Sequence, residues 1–182
     1  LRKGLYQHFS AVANAVNIPV VLYNVPGRTG SNIPYDLAIQ LAKDHKNIVA
    51  IKEAGGNIEV FVNLIANRPE GFKVYSGDDF LSTAANLLGA DGCISVVANV
   101  IPKEFHELMN VSLAGDVVAS RALFYKYRKL MDQMFIESNP IPVKTALAAM
   151  GKVKEVFRLP LCSMEDKTKE SLVAEMKKVG LI

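Results

Sequence analysis

Cysteine is scarce in this chain. Cys93 and Cys162 are the only two among 182 residues. Two cysteines build neither a disulfide scaffold nor a zinc site, and they suit a reducing compartment. Charge of one sign is scarce as well. With 21 Lys and Arg against 18 Asp and Glu, the formal net charge is +3. That small excess is spread along the chain, which excludes the clustered basic footprint of a nucleic-acid binder. No apolar run reaches the roughly 18 residues that a membrane span needs. The three histidines, His8, His45 and His106, share no metal-ligand spacing and read as surface or helix-face residues. No Gly-rich phosphate loop, HExxH or GxSxG motif occurs. Leu1-Arg2-Lys3-Gly4 leads into a mixed amphipathic segment, not a signal peptide. The first residue is Leu rather than Met, and the length falls short of the roughly 250 residues of a (β/α)8 barrel.

What is present is apolar. Hydrophobic residues make up 50% of the chain, enough to build a core that offsets ordering entropy, so disorder is excluded. Four short runs are apolar and rich in β-branched residues: Ile18–Val25, Ile48–Ile51, Phe72–Tyr75 and Cys93–Val97. Each is nearly continuous rather than alternating, the pattern of strands buried on both faces of a parallel sheet. Helical periodicity separates them, over Tyr35–Lys46, Ile58–Ala66, Phe80–Leu88 and Pro102–Leu113. Asp78-Asp79 suits the N-cap of the third of these. Strand starts recur every 21 to 30 residues, one βα unit each. After Gly115 the strand signals stop. Helices are predicted over Asp116–Glu137, Val143–Met150 and Lys167–Val179, with Leu123, Phe124, Tyr127, Leu130, Met131 and Met134 as core or interface positions. The expected organisation is a parallel β/α region over 1–115 and a helical region over 116–182.

Parallel α/β folds bind ligands at the C-terminal ends of their strands. Polar groups gather there: Tyr23-Asn24-Val25-Pro26-Gly27-Arg28-Thr29-Gly30, Ile51-Lys52-Glu53-Ala54-Gly55-Gly56, Tyr75-Ser76-Gly77-Asp78-Asp79 and Gly92-Cys93-Ile94-Ser95-Val96. Lys52 follows a buried run. Burial disfavours an ammonium, and a neutral amine attacks carbonyls to form a Schiff base. Equally, Lys52 reads as a rim lysine paired with a carboxylate such as Glu53. Tyr23 ends a strand, and its phenol either relays protons to a forming carbinolamine or simply ends a core side chain at the rim. Arg28 lies in a loop, where a guanidinium binds a carboxylate through two bonds or faces solvent. Gly55, Gly56 and Gly77 allow close backbone approach to a ligand, and turn geometry explains each equally well. Cys93 reads as core.

Together these segments resemble the dihydrodipicolinate synthase family. Gly4-Leu5-Tyr6-Gln7-His8-Phe9 and Asn139-Pro140-Ile141-Pro142-Val143-Lys144 also match its pattern, and the match runs through the whole chain in order. The resemblance implies the second half (strands 5–8) of a TIM (β/α)8 barrel of the class I aldolase type, followed by a helical C-terminal region. It implies that Lys52 condenses with pyruvate and that the enamine attacks aspartate semialdehyde, forming 4-hydroxy-tetrahydrodipicolinate of the lysine and diaminopimelate pathway. Tyr23 would shuttle protons, Arg28 would bind the semialdehyde carboxylate, and Gly77 and Ile94 would line the pyruvate pocket. No metal or organic cofactor, no nucleic acid and no membrane is implied; family members are cytoplasmic homotetramers. The family's Gly-Thr-Thr-Gly-Glu-type loop and second relay tyrosine have no counterpart in these residues, so the expectation is an incomplete enzyme, inactive alone. Two other readings stand beside it. One is another pyruvate-dependent aldolase, a sialic-acid or keto-deoxy-sugar acid lyase, against which Arg28 argues. The other is a non-catalytic half-barrel that pairs with a partner or with itself.

Overall fold

The computed structural model describes residues 2–182. They form two compact units that part between Ile94 and Ser95.

In the first unit, helix α1 (Arg2–Ala15) precedes strand β1 (Val20–Asn24) and a helical turn, α2 (Pro26–Thr29). Helix α3 (Tyr35–Asp44), strand β2 (Ile48–Glu53), helix α4 (Ile58–Asn67), strand β3 (Lys73–Ser76) and helix α5 (Asp79–Leu87) complete it. The three strands pair in parallel in the order β1-β2-β3. Each crossover is a helix, as parallel pairing requires. Side chains alternate across the sheet. Leu22, Ile51 and Val74 point to one face and pack with Leu37, Leu41, Phe61, Leu64 and Ala85 of the crossover helices, all fully buried. Burying each of the large side chains is worth roughly 1.5–3 kcal/mol, which makes this face the main support of the unit. The helix ends obey local chemistry. The Asn57 side chain accepts from the Glu59 N–H at the start of α4, and Asp78 accepts from Phe80 and Leu81 at the start of α5.

A charged cluster braces the opposite end of β3. The Asp91 carboxylate accepts from Val74 N–H at 2.9 Å, from Lys73 Nζ at 3.0 Å and from the Arg68 guanidinium. Burial pushes this carboxyl up, but the three donors together outweigh burial and hold it below the usual carboxylate range. Its contribution to stability is therefore present above the ordinary carboxylate value and is lost as the pH falls through the lowered one. Asp91→Asn is expected to lower the unfolding free energy by about 1–3 kcal/mol, because it leaves donors unmatched. Urea denaturation at neutral pH checks this, and the difference from the parent should narrow in acid.

The fourth expected strand is not formed. Cys93 makes a single parallel bridge to Ser76, with Ser76 N–H donating to Gly92 O at 2.9 Å and Ile94 N–H to Ser76 O at 2.8 Å. Pairing stops there. The Ser95 hydroxyl accepts from Ala98 N–H at 2.9 Å and starts a 3-10 turn at Val97–Asn99, a local bond that competes with the ladder.

The second unit is helical: α6 (Pro102–Leu113), α7 (Val117–Gln133), α8 (Ile141–Ala149) and α9 (Asp166–Lys178). Helix α6 packs on α7, and α9 packs on both α7 and α8. Leu108, Leu130, Met131, Met134, Ala146, Leu172 and Met176 are fully buried. Of the expected α7 core positions, Leu123 and Phe124 are only half-buried. Asp116 caps α7 through Ala119 N–H at 2.9 Å. The two compact units part before α6 because α6 packs on α7.

Among the described residues, no helix is long and apolar enough to cross a membrane.

Candidate active site

The register of the sheet builds the site. Tyr23 pairs with Lys52, and Lys52 with Tyr75. These three therefore share one row on one face. The next row, Asn24, Glu53 and Ser76, points to the other face and is completely buried. Adjacent residues of each strand thus serve opposite sides.

On the first face, Lys52 Nζ lies over the Tyr23 ring, 4.3 Å from its centroid. The ring's negative face holds the ammonium there with about 0.5–2 kcal/mol. Lys52 is half-buried, and Tyr23 is 44% exposed. Amine and phenol are therefore neighbours within reach of solvent-borne reactants. The alternative pairing of Lys52 with Glu53 does not occur. Pleat alternation sends the two side chains to opposite faces, and both Glu53 oxygens are engaged elsewhere.

Gly77 explains how Lys52 is accommodated. A Cβ at Gly77 would lie 2.7 Å from Lys52 Cε, 3.0 Å from Lys52 Cγ and 2.8 Å from the Ala54 Cβ. Lys52 can occupy its place only because residue 77 has no side chain. Gly77 N–H donates to Glu53 O at 2.7 Å, which continues the β2–β3 ladder past the strand end. Ile94, pinned by its bond to Ser76, is 44% exposed beside the end of β3.

Arg28 lies beyond the end of β1, outside the row of Tyr23, Lys52 and Tyr75. It is exposed on α2, a helical turn where a loop was expected. Pro26 presets the first turn, and Gly30, at φ 65°, closes it by donating to Pro26 O at 2.9 Å. Arg28 forms no ion pair among the described residues.

Behind the sheet lies a network that strand-end reading did not anticipate. Glu53 is completely buried. Its Oε2 accepts from Asn24 Nδ2 at 2.8 Å, and its Oε1 from Gly55 N–H at 2.5 Å. Asn24 Nδ2 also donates to Asn32 Oδ1 at 2.9 Å, and Asn24 Oδ1 accepts from Ile33 N–H at 2.9 Å. Burial pushes the Glu53 carboxyl up, against the bonds from Asn24 and Gly55. Ionised Glu53 therefore costs folding stability, a cost absent below the ordinary carboxylate value and full above the raised one. The signal available in the sequence was the period-2 pairing Tyr23/Asn24, Lys52/Glu53 and Tyr75/Ser76, one polar group for each face.

Burial also pushes the Cys93 thiol far up, aided by the nearby Asp79 carboxylate at 3.7 Å, which disfavours the thiolate. Among the described residues, no group of three or more His, Cys, Asp or Glu is placed to hold a metal ion.

The chain is similar to known proteins over its whole length. Residues 2–179 match the model of the dihydrodipicolinate synthetase family. The 4-hydroxy-tetrahydrodipicolinate synthase of Chlorobaculum parvum is 47% identical over 181 residues, which cover 100% of this chain and 61% of that protein. The chain thus spans about three-fifths of the length of the curated relatives it matches. Among solved structures, the dihydrodipicolinate synthase of Thermotoga maritima superposes with a TM-score of 0.97 at 40% identity, covering 100% of this chain and 63% of that one. The chloride-inhibited enzyme of Acinetobacter baumannii, complexed with pyruvate, gives 0.96 at 44% identity, covering 100% and 62%. The three-stranded parallel sheet with its helices is accordingly part of a (β/α)8 barrel, followed by a helical region. In sequence and in fold, this chain belongs to the dihydrodipicolinate synthetase family.

Proposed function

We propose that this chain carries the Schiff-base centre of a pyruvate-condensing synthase. The observation that supports this most directly is Lys52 Nζ held over the Tyr23 ring in the space that Gly77 leaves. The amine attacks the carbonyl carbon of pyruvate, and the carbonyl oxygen leaves as water after two proton transfers. The Tyr23 hydroxyl carries those protons. Loss of a methyl proton to water converts the iminium to an enamine, which forms a carbon–carbon bond to the aldehyde carbon of aspartate semialdehyde while the aldehyde oxygen takes up a proton and becomes the hydroxyl. The amino group of that substrate then displaces Lys52 and closes the ring of 4-hydroxy-tetrahydrodipicolinate. Arg28, exposed on its turn, receives the semialdehyde carboxylate as a planar two-bond donor. Gly77 and Ile94 border the pyruvate end. The relatives' shared name supports this reaction, and the pyruvate complex of the Acinetobacter enzyme supports the first substrate. The chemistry uses no metal or organic cofactor. The family resemblance extends the reading to a cytoplasmic homotetramer, to a half-barrel ending near residue 115, and to negligible synthase turnover by residues 1–182 alone.

Incubation with pyruvate and borohydride, followed by peptide mass spectrometry, tests the centre. A reduced adduct on Lys52 is expected; a folded sample with no adduct refutes it. Tyr23→Phe keeps the ring under Lys52 but removes the proton carrier. Its adduct should form roughly 10²–10⁴-fold more slowly, at the same lysine.

A further inference from the structure

Three buried polar residues, Asn24, Glu53 and Ser76, lie on the face of the sheet opposite Tyr23 and Lys52. We propose that two of them, Asn24 and Glu53, are positioning residues: their donor–acceptor lock ties the ends of β1 and β2 and the segments after them, and so sets Tyr23 and Lys52 on the opposite face. The inference rests on the Schiff-base reading for its consequence in catalysis, but the lock itself is a structural claim.

The polarity of the lock admits one chemistry at each position. Both Glu53 oxygens face N–H donors, Asn24 Nδ2 at 2.8 Å and the Gly55 backbone at 2.5 Å. An amide at position 53 would turn an N–H toward one of them. Asn24 cannot relieve that conflict by turning its own amide over. Its Oδ1 is held by the Ile33 backbone N–H, a donor that cannot become an acceptor. The lock therefore propagates a fixed orientation from Ile33 through Asn24 and Glu53 to Gly55. Gly55 belongs to it sterically too, since a Cβ there would lie 2.6 Å from Glu53 Oε1.

The connectivity shows what is being positioned. Asn24 follows Tyr23, and Glu53 follows Lys52, so each member of the lock is one peptide unit from a member of the proposed centre. The Asn24–Glu53 bond bridges the same two strands beside the register position where Tyr23 pairs with Lys52. The backbone adds Ala54 N–H to Asn24 O at 2.9 Å. Asn24 further anchors Asn32 and Ile33 and so closes the segment that carries Arg28. A buried carboxylate without a cationic partner is costly to keep. Its retention here fits a role in orientation, because with a backbone N–H at each end a single wrong proton or amide sets donor against donor at one link and breaks the lock.

The test exchanges donor and acceptor. Glu53→Gln sets N–H against N–H, and Asn24→Asp sets carboxylate against carboxylate. The double variant N24D/E53Q restores every bond. Its new amide at position 53 accepts from Gly55 N–H and donates to the new carboxylate at position 24. That carboxylate still accepts from Ile33 N–H, and the exposed Asn32 amide turns over to donate to it. Three readouts are needed. Amide exchange at Gly55 and Ile33 reports the lock. The upfield ring-current shift of the Lys52 ε-methylene protons reports placement over Tyr23 without any substrate. Borohydride-trapped pyruvate at Lys52 reports chemistry. Each single variant is expected to speed both amide exchanges at least tenfold, to shrink the ring-current shift and to slow capture at least tenfold, and the double variant is expected to restore all three. Should the single variants lose only thermal stability, with the Lys52 shift and capture per folded molecule unchanged, the positioning role is overturned. A double variant no better than the single variants overturns it as well. If the parent captures no pyruvate, the Schiff-base reading fails, and the exchange rates and ring-current shift still decide the lock.

Discussion

Replacing Lys52 with arginine is expected to abolish covalent capture of pyruvate while leaving the fold intact. Arginine keeps a cation of similar length over the Tyr23 ring, so the cation–π contact survives. Guanidinium stays protonated in proteins and offers no lone pair to a carbonyl. Lys52 is half-buried and its side chain does not enter the apolar layer of Leu22, Ile51 and Val74, so little packing is lost. The measurement is borohydride trapping followed by peptide mapping, with thermal unfolding as the control. Adduct at position 52 should vanish and the midpoint should stay within a few degrees. Trapping that continues at the parent rate on another lysine would place the centre elsewhere.

The second large effect belongs to a residue with no side chain. Gly77→Ala should slow pyruvate capture about 100-fold, because the new methyl occupies the space of the Lys52 stem. Two of the three close contacts, at 2.7 and 3.0 Å, are with Lys52 itself; the third, at 2.8 Å, is with the Ala54 Cβ, which has no torsion to turn away. The lysine must therefore leave the Tyr23 ring. A displacement of about 1 Å at a reacting group costs on the order of 10²-fold in rate. Overpacking adds about 1–3 kcal/mol of destabilisation. Gly4→Ala is the control: nothing lies within 4 Å of its added Cβ, and its place in α1 favours alanine. Equal capture by the Gly77 and Gly4 variants would show that Gly77 serves only the turn.

The elements legible in the sequence were those whose signal is local. Three of the four apolar runs are strands, because runs of Val, Ile, Leu and Tyr bounded by polar turns suit a buried parallel sheet. The helices that were expected appear within a few residues of their expected ends, since periodicity and caps such as Asp78 act over a turn or so, whereas α1 was read only as an amphipathic segment. The fourth run, Cys93–Val97, has the composition of a strand and forms one bridge. Composition counts apolar side chains; it does not register that Ser95 finds a closer acceptor role in the following turn. Arg28 was expected in a loop and sits in a helical turn too short to show periodicity.

For the site, an amine and a phenol at the ends of apolar strands made Lys52 and Tyr23 candidates beside a plain structural reading of each, and the family resemblance supplied their roles; that they lie together follows from the register. Their relationship to Glu53 was not legible. A lysine next to a glutamate reads as an ion pair in one dimension, whereas the pleat sends the two to opposite faces and gives the glutamate to Asn24 and Gly55. Gly55 and Gly77 looked alike as turn glycines. Only three-dimensional crowding distinguishes them: one admits the Glu53 carboxylate, the other the Lys52 stem. Scarcity of cysteine and the nearly balanced charge excluded whole classes of protein from composition alone, since those limits are set by counts. Strand order, register and face depend on bonds between residues some thirty positions apart, and there the tertiary structure alone decided.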